Sequence, residues 1–333
     1  MTLLSPENVT TDAAQRPVLE VENLVIRYGR PTRRHTGPAA VDGVSFSIKP
    51  GETVGLVGES GSGKTTIGKA ILGLQPVTSG SIKFEGESID GLKPKARRVL
   101  ATRLRAVFQD PYSSLNPRLS IGDSLAEPLL VSGVRREQAL IRAEGMLEQV
   151  GLPRDAVNRL PRQFSGGQRQ RIAVARALIT RPSLVVCDEP VSALDLSTQA
   201  QVLNLLADLR DDLGLSYLFI AHDMAVVRML AQRVIVLYRG QVMEEGATGA
   251  VMADARHPFT QALLAASPVP NPIEQAERRR LRELRLVDGA SASSISATGC
   301  PFAARCPMAT ELCRSERPAL RPTAVSLAAC HYA

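Results

Sequence analysis

Short apolar runs recur along the chain, each closed by glycine, proline or a charged cluster. Between them lie longer stretches with apolar positions three and four apart. The runs predict strands. Val18 to Tyr28 opens the series with Leu19, Val21, Leu24 and Ile26 on an imperfect alternation. Ala40 to Ile48, Thr53 to Val57, Ser81 to Phe84, Leu184 to Pro190, Tyr217 to Ala221, Val234 to Tyr238 and Gln241 to Glu244 follow. The periodic stretches predict helices: Thr66 to Leu74 (apolar at 67, 70, 71 and 74), Ile121 to Val131, Arg135 to Val150, Arg169 to Ile179, and Thr198 to about Leu213 with Val202, Leu205, Leu206 and Leu209 on one face. The basic stretch Lys93 to Arg105 reads as solvated surface. Strands alternating with helices imply an α/β fold, and the helical stretches from about residue 110 to 180 form an insert within it.

Between the strand ending at Val57 and the helix after it stands Gly58-Glu59-Ser60-Gly61-Ser62-Gly63-Lys64-Thr65, which fits G-x-x-x-x-G-K-[ST]. Glycines at 58, 61 and 63 let the backbone curl until several N–H groups face one phosphate. Lys64 brings positive charge to the outer phosphates, and the Thr65 hydroxyl suits a magnesium ion. The helix that starts here turns its positive end to the same anion. Strand, glycine loop and helix are the setting this motif requires. An ordinary Gly/Ser turn is the weaker reading. Gly58, Ser60, Gly61, Ser62, Gly63, Lys64, Thr65 and Thr66 are therefore the candidate nucleotide-binding residues.

Later stretches can serve a nucleotide held there. Ser165-Gly166-Gly167-Gln168, after Phe164, opens an Arg/Ala-rich helix and forms either a second anion-binding helix start or a plain cap. A second phosphate site in one chain hints that half of the pocket comes from another subunit. Asp188-Glu189 ends an apolar strand: one carboxylate suits magnesium, the next suits polarising the attacking water. A solvated acidic strand end is the blander alternative. Cys187 within that run reads as a small core residue. Ser192 to Asp195 forms a tight loop. His222 follows a buried strand, where ligands collect in open α/β sheets. Gln109 ends the run from Ala106 and precedes a proline-containing loop.

This order of motifs resembles the ATP-binding subunit of an ABC transporter over roughly residues 18–250. The resemblance implies a RecA-like core with an antiparallel β subdomain and a helical subdomain, preceded by a flexible stretch, residues 1–17. It implies that Tyr28 stacks on adenine, that Gln109 contacts magnesium or the attacking water, and that Asp188 holds magnesium through water. Glu189 would be the general base, and His222 would steady the γ-phosphate. Ser165, Gly166, Gly167 and Gln168 would grip the γ-phosphate of ATP bound to the opposite subunit, and Asp195 is a further candidate nucleotide-binding residue. Phe164 departs from the family's usual leucine, and the Arg/Pro/Gly-rich loop after Tyr28 is long.

His257-Pro258-Phe259-Thr260 is similar to the His-Pro-Tyr-Thr segment of the oligopeptide/dipeptide importer subfamily. Phe108 to Pro117, and Gly299 to Pro307, are also close to that subfamily. The implied function is ATP hydrolysis powering bacterial import of di- or oligopeptides. The implied partners are a sister ATPase (a heterodimer by subfamily habit), two transmembrane permeases and an extracytoplasmic binding protein. Import of another solute such as a metal chelate, an exporter, and a non-transport ABC ATPase are the alternatives.

Composition refines this picture. The 333 residues are 44% hydrophobic and 22% charged, which fits a soluble chain with an ample core. No apolar run is long enough to span a bilayer, and Met1 to Gln15 lacks a signal pattern, so the chain is expected in the cytoplasm; the resemblance implies the cytoplasmic face of the bacterial cytoplasmic membrane. A net charge of +7 does not gather into a stripe, and only 4% of residues are aromatic, which argues against nucleic acid. Arg278 to Arg285 reads as a solvated helix face. Cys300, Cys306, Cys313 and Cys330 crowd the last stretch, residues 251–333, a small cysteine-rich extension. The spacing is looser than ordinary zinc pairs, leaving a [4Fe–4S] cluster, a zinc ion or free thiols open. The subfamily resemblance favours the cluster.

Overall fold

The computed structural model describes residues 16–29, 39–110, 114–267 and 298–333. The expected flexible start lies outside the described residues up to residue 15. So do the loop after Gly29, Pro111 to Ser113, and the Arg278 to Arg285 face.

Among the described residues two sheets form. The smaller is antiparallel, in the order β2 (Ala39–Ile48), β1 (Leu19–Arg27), β4 (Ser79–Phe84), β5 (Glu87–Ser88). The larger is mixed. Its parallel part runs β9 (Arg233–Tyr238), β3 (Thr53–Val57), β8 (Ser216–Ala221), β7 (Leu184–Asp188), β6 (Leu104–Val107). β3 and β8 are buried at every position, as expected of parallel strands covered on both faces. The register places Val57 beside Ala221 and Asp188 beside Ile220. The carboxyl ends of β3, β7 and β8 therefore share one rim, and the residues that follow them meet there.

The helices are α1 (Lys64–Ile71), α2 (Pro94–Leu100), α3 (Ile121–Val131), α4 (Arg136–Gln149), α5 (Gly166–Leu178), α6 (Leu196–Leu213) and α7 (Met224–Leu230). Helices α3, α4 and α5 pack with Ile121, Leu125, Ala143, Leu147, Ile172 and Val174 fully buried. Helix α5 begins three residues earlier than the periodicity predicts. Ser165 and Gln168 cap it reciprocally, Gln168 N–H donating to Ser165 Oγ at 3.3 Å and Ser165 N–H to Gln168 Oε1 at 3.0 Å. Helix α1 stops at Ile71, so Leu74 lies outside it and is 64% exposed rather than on a buried face.

The expectation of solvated surface for Lys93 to Arg105 holds at Lys93, Lys95, Arg98 and Arg103, which are exposed, and is refined elsewhere. That stretch is α2 followed by the edge strand β6, with Leu100, Leu104 and Val107 buried. Two of its arginines are not simply solvated: Arg97 donates to the Ile71 and Ile89 carbonyls, and Arg105 to those of Ala101 and Arg176. Long basic side chains can cover apolar surface while their heads bind backbone acceptors, and this defeats a charge-based reading.

Beyond β9 the chain makes β10 (Gln241–Ala247), α8 (Thr248–Ala253) and α9 (Pro258–Ala266). After the undescribed stretch come a 3-10 turn at Ala303–Arg305, α10 (Glu311–Ser315), β11 (Arg321–Pro322) and β12 (Leu327–Ala328). β12 pairs antiparallel with β10, and β11 with β12, so the extension continues the large sheet. His257 caps α9, its Nδ1 accepting from Phe259 N–H at 3.0 Å. Burial lowers its pKa to about 4, against an opposing backbone hydrogen bond with Ala329. Phe259 packs on Tyr238 with ring centroids 4.6 Å apart, and Phe302 sits 5.4 Å from both. Glu244 is fully buried, and its carboxylate accepts from Arg256 N–H, His257 N–H and Ser326 Oγ at 2.8, 3.0 and 2.8 Å.

Candidate functional site

The loop from Gly58 to Gly63 links β3 to α1. At Gly63 φ is +101°, and a Cβ there would stand 2.4 Å from the Ala40 carbonyl oxygen, so a side chain is excluded by conformation and by space. Lys64 is 5% exposed, and its Nζ donates to the carbonyls of Gly58 at 2.7 Å and Glu59 at 2.9 Å. Burial lowers its pKa, while Glu189, Asp188 and Glu59 pull the other way. Thr65 Oγ1 donates to Asp188 Oδ1 at 2.9 Å, joining the loop to the end of β7. Burial raises the Asp188 pKa, and the Thr65 hydrogen bond opposes it. These adjacent oxygens fit a hard divalent cation. Tyr28, 56% exposed at the end of β1, shares a hydrogen bond of 3.0 Å with Thr66 Oγ1.

Glu189 has φ +48°, in the left-handed region that side chains rarely adopt. Its N–H donates to Ile220 O at 3.0 Å, and its carbonyl accepts from Ser192 N–H at 3.3 Å and Ser192 Oγ at 3.1 Å. His222 Nδ1 lies 3.5 Å from Glu189 Oε2. Both line a cavity of about 100 Å³ that also touches Gln199. Strain held by surrounding hydrogen bonds beside a cavity is a common property of reacting groups. Gln109 follows β6 and is exposed. Cys187 is fully buried, and burial drives its thiol pKa far up, so it is inert.

A second cluster forms around the start of α5. A Cβ on Gly167 would come within 2.3 Å of Thr198 Cγ2 on α6. Asp195 caps α6, accepting from Thr198 N–H at 3.0 Å, Thr198 Oγ1 at 2.7 Å and Ser197 Oγ at 2.6 Å. These bonds, that from Ser197 first, hold its carboxyl well below the usual range. Asp195 thus buttresses the Ser165–Gln168 turn through Thr198, a contact that sequence reading missed. Gly167→Ala is expected to lower stability by about 1–3 kcal/mol through overpacking. Thr198→Ser, which deletes Cγ2 and keeps the hydroxyl, restores most of it in the double variant. A thermal melt in which the second change restores nothing rejects this account.

Cys300, Cys306, Cys313 and Cys330 line one cavity of about 20 Å³, together with His257 and His331. Cys300 N–H donates to Cys313 O at 2.8 Å, Cys330 Sγ accepts from Tyr332 N–H at 3.5 Å, and Cys313 Sγ lies 3.6 Å from Thr310 Oγ1. Burial raises the thiol pKa of Cys300 and of Cys306. Among the described residues no three of His, Cys, Asp or Glu are grouped so as to hold a metal ion. The thiols share a cavity, which is as much as the sequence expectation of a metal site receives.

Comparison with known proteins places these features. The ABC transporter family model matches residues 41–192, and that of the oligopeptide/dipeptide transporter C-terminal region matches 243–313. The chain is 48% identical over 295 residues to a protein of Brucella abortus (strain 2308) provisionally named a peptide import ATP-binding protein, covering 88% of this chain and 86% of the relative. A similarly named protein of Brucella ovis is 47% identical, covering 92% and 95%. Among solved structures, a dimeric ATP-binding cassette in a post-hydrolysis state, bound to ADP and phosphate, matches with 29% identity and TM-score 0.62 over 69% of this chain and 98% of that one. CbiO1 of Clostridium perfringens, part of an ABC transporter complex, matches with 26% identity and TM-score 0.64 over 72% and 91%.

Proposed function

Because this chain belongs to the ATP-binding subunits of ABC transporters, with the C-terminal region of the oligopeptide/dipeptide branch, we propose that it hydrolyses ATP to power peptide import. The match of residues 243–313 to that C-terminal region, on a chain carrying an assembled phosphate loop, is the observation that carries the peptide reading. Reconstituted in liposomes with its permeases and a binding protein, the chain is expected to drive ATP-dependent peptide uptake. ATP turnover without uptake of any peptide overturns the substrate class.

In this reading Gly58, Ser60, Gly61, Ser62, Gly63 and Thr66 cradle the phosphates, and Lys64 leaves the loop carbonyls to meet them. Thr65, Asp188 and Gln109 are the magnesium contacts, and the ion when bound neutralises charge on the transferred phosphoryl group. Glu189 takes the proton of the attacking water, His222 orients water and γ-phosphate, and Tyr28 stacks on adenine. Ser165, Gly166, Gly167, Gln168 and Asp195 face the nucleotide of a second ATPase subunit, here a sister chain, so that ATP is enclosed only when two subunits close head to tail. Support comes from the arrangement in two clusters, phosphate loop with Asp188–Glu189–His222, and α5 start with Asp195.

A groove of about 540 Å³ between α2, β6 and α5, with exposed Leu74 and Phe108 at its margin and Arg97, Arg105 and Arg176 in its lining, offers a seat of mixed character for a permease helix. Among the described residues no helix is long and apolar enough to cross a membrane. A peripheral position on the cytoplasmic face follows from the partners.

The four thiols of the extension are the ligands we assign to a [4Fe–4S] cluster, with zinc as the alternative. Four thiolates are the right kind of donor and line one cavity, but among the described residues they are not grouped closely enough to hold a metal as they stand. The cavity is near the size of a single water, so the sulfurs must part to admit a cluster. Anaerobically purified protein is expected to carry about four iron and four sulfide per chain. One zinc without iron makes the site a zinc staple, and absence of both rejects a resident metal.

A further inference from the structure

Glu59, next to Gly58 in the phosphate loop, has its two ends engaged differently. Its carbonyl accepts from Ser62 N–H at 3.1 Å and from Lys64 Nζ at 2.9 Å. Its carboxylate accepts from Arg305 Nη1 at 2.9 Å, a contact bridging 246 positions of sequence. Arg305 is itself firmly held. It closes the 3-10 turn at Ala303–Arg305, and its guanidinium lies 5.9 Å from the Tyr238 ring centroid and 5.6 Å from that of Phe302. Phe302, 2% exposed, is wedged against Tyr238 and Phe259, so the arginine projects from a packed base. An arginine ordered in this way loses little further freedom in making its ion pair.

The Glu59 carboxylate is a misplaced charge for a loop that receives a polyphosphate. Its charge reaches Lys64, whose ammonium must be free to meet the same phosphates. Unpaired, it repels the anion and competes for the lysine. We propose that Arg305 is a positioning residue of the nucleotide site: it holds the Glu59 carboxylate away from the phosphate cradle and cancels its charge. The cysteine-rich extension thereby contributes to ATP affinity. The proposal rests on the ATP reading above.

The test is an equilibrium titration of the full chain with a fluorescent ATP analogue and magnesium. Arg305→Ala is expected to weaken binding about two- to fivefold, the range open to a half-exposed ion pair. Glu59→Gln in the same chain restores wild-type affinity, because the charge that Arg305 cancels is gone. Glu59→Gln alone binds at least as tightly as wild type, and Arg305→Lys stays close to it. The Arg305→Ala deficit shrinks as salt is raised, as screening of a charge demands. A merely structural role for Arg305 predicts none of the rescue by Glu59→Gln. Unchanged affinity in Arg305→Ala, a loss that Glu59→Gln fails to restore, or weaker binding by Glu59→Gln alone each overturns the proposal. Wild-type protein that binds no ATP analogue overturns the ATP reading and the proposal with it. Wild-type binding with an unaffected Arg305→Ala overturns the proposal alone.

Discussion

Glu189→Gln is expected to bind MgATP like wild type and to hydrolyse it about 10²- to 10⁴-fold more slowly. The substitution is nearly isosteric. The backbone bonds from Ser192 and to Ile220 that hold residue 189 at φ +48° do not involve the carboxylate, so the turn survives. What disappears is the carboxylate that His222 faces at 3.5 Å, the proposed proton acceptor. Nucleotide titration reads the first effect, and phosphate release from the complex assembled with permeases the second. Turnover within a few-fold of wild type would remove Glu189 from the role of base.

Lys64→Ala is expected to weaken MgATP binding about 10- to 100-fold, the loss of charged hydrogen bonds to phosphate. The same change strips a donor from the Gly58 and Glu59 carbonyls and removes a positive charge that acts on Asp188 and Glu189. The free protein is therefore destabilised as well. The two effects separate in a melt with and without MgATP: the variant gains less thermal stability from the nucleotide than wild type does. An equal gain in both would mean that phosphate is held elsewhere.

The core of the site was legible because each piece is local. Strand, loop and helix around Gly58–Thr65 are contiguous, and Asp188–Glu189 and His222 each end an apolar run. Parallel pairing then brings the ends of β3, β7 and β8 to one rim. The contacts that sequence reading missed are those whose partners lie far apart. Nothing near Thr198 indicates that its methyl closes on Gly167, and nothing near Arg305 points to Glu59. Two-residue strands such as β11 and β12 carry no periodicity at all. In the basic stretch Lys93 to Arg105, charge indicates exposure correctly at Lys93, Lys95, Arg98 and Arg103 but not at Arg97 and Arg105, whose heads reach backbone carbonyls. The His-Pro-Phe-Thr segment was visible as a pattern, but its work in the fold emerges only in three dimensions: a cap, a helix start and an aromatic wedge against Tyr238.

Glu244 bears on how such chains could be recombined. Its buried carboxylate takes two donors from the turn before α9 and a third from Ser326, on the far side of the undescribed stretch. A hybrid that grafts a foreign tail after α8 keeps this acid and must supply its donors blind. A carboxylate left underground without them costs several kcal/mol by order of magnitude. Exchange between relatives is therefore better made ahead of β10, so that the acid travels with the segment that satisfies it. Inheritance of the tail is then inheritance of a piece of the sheet.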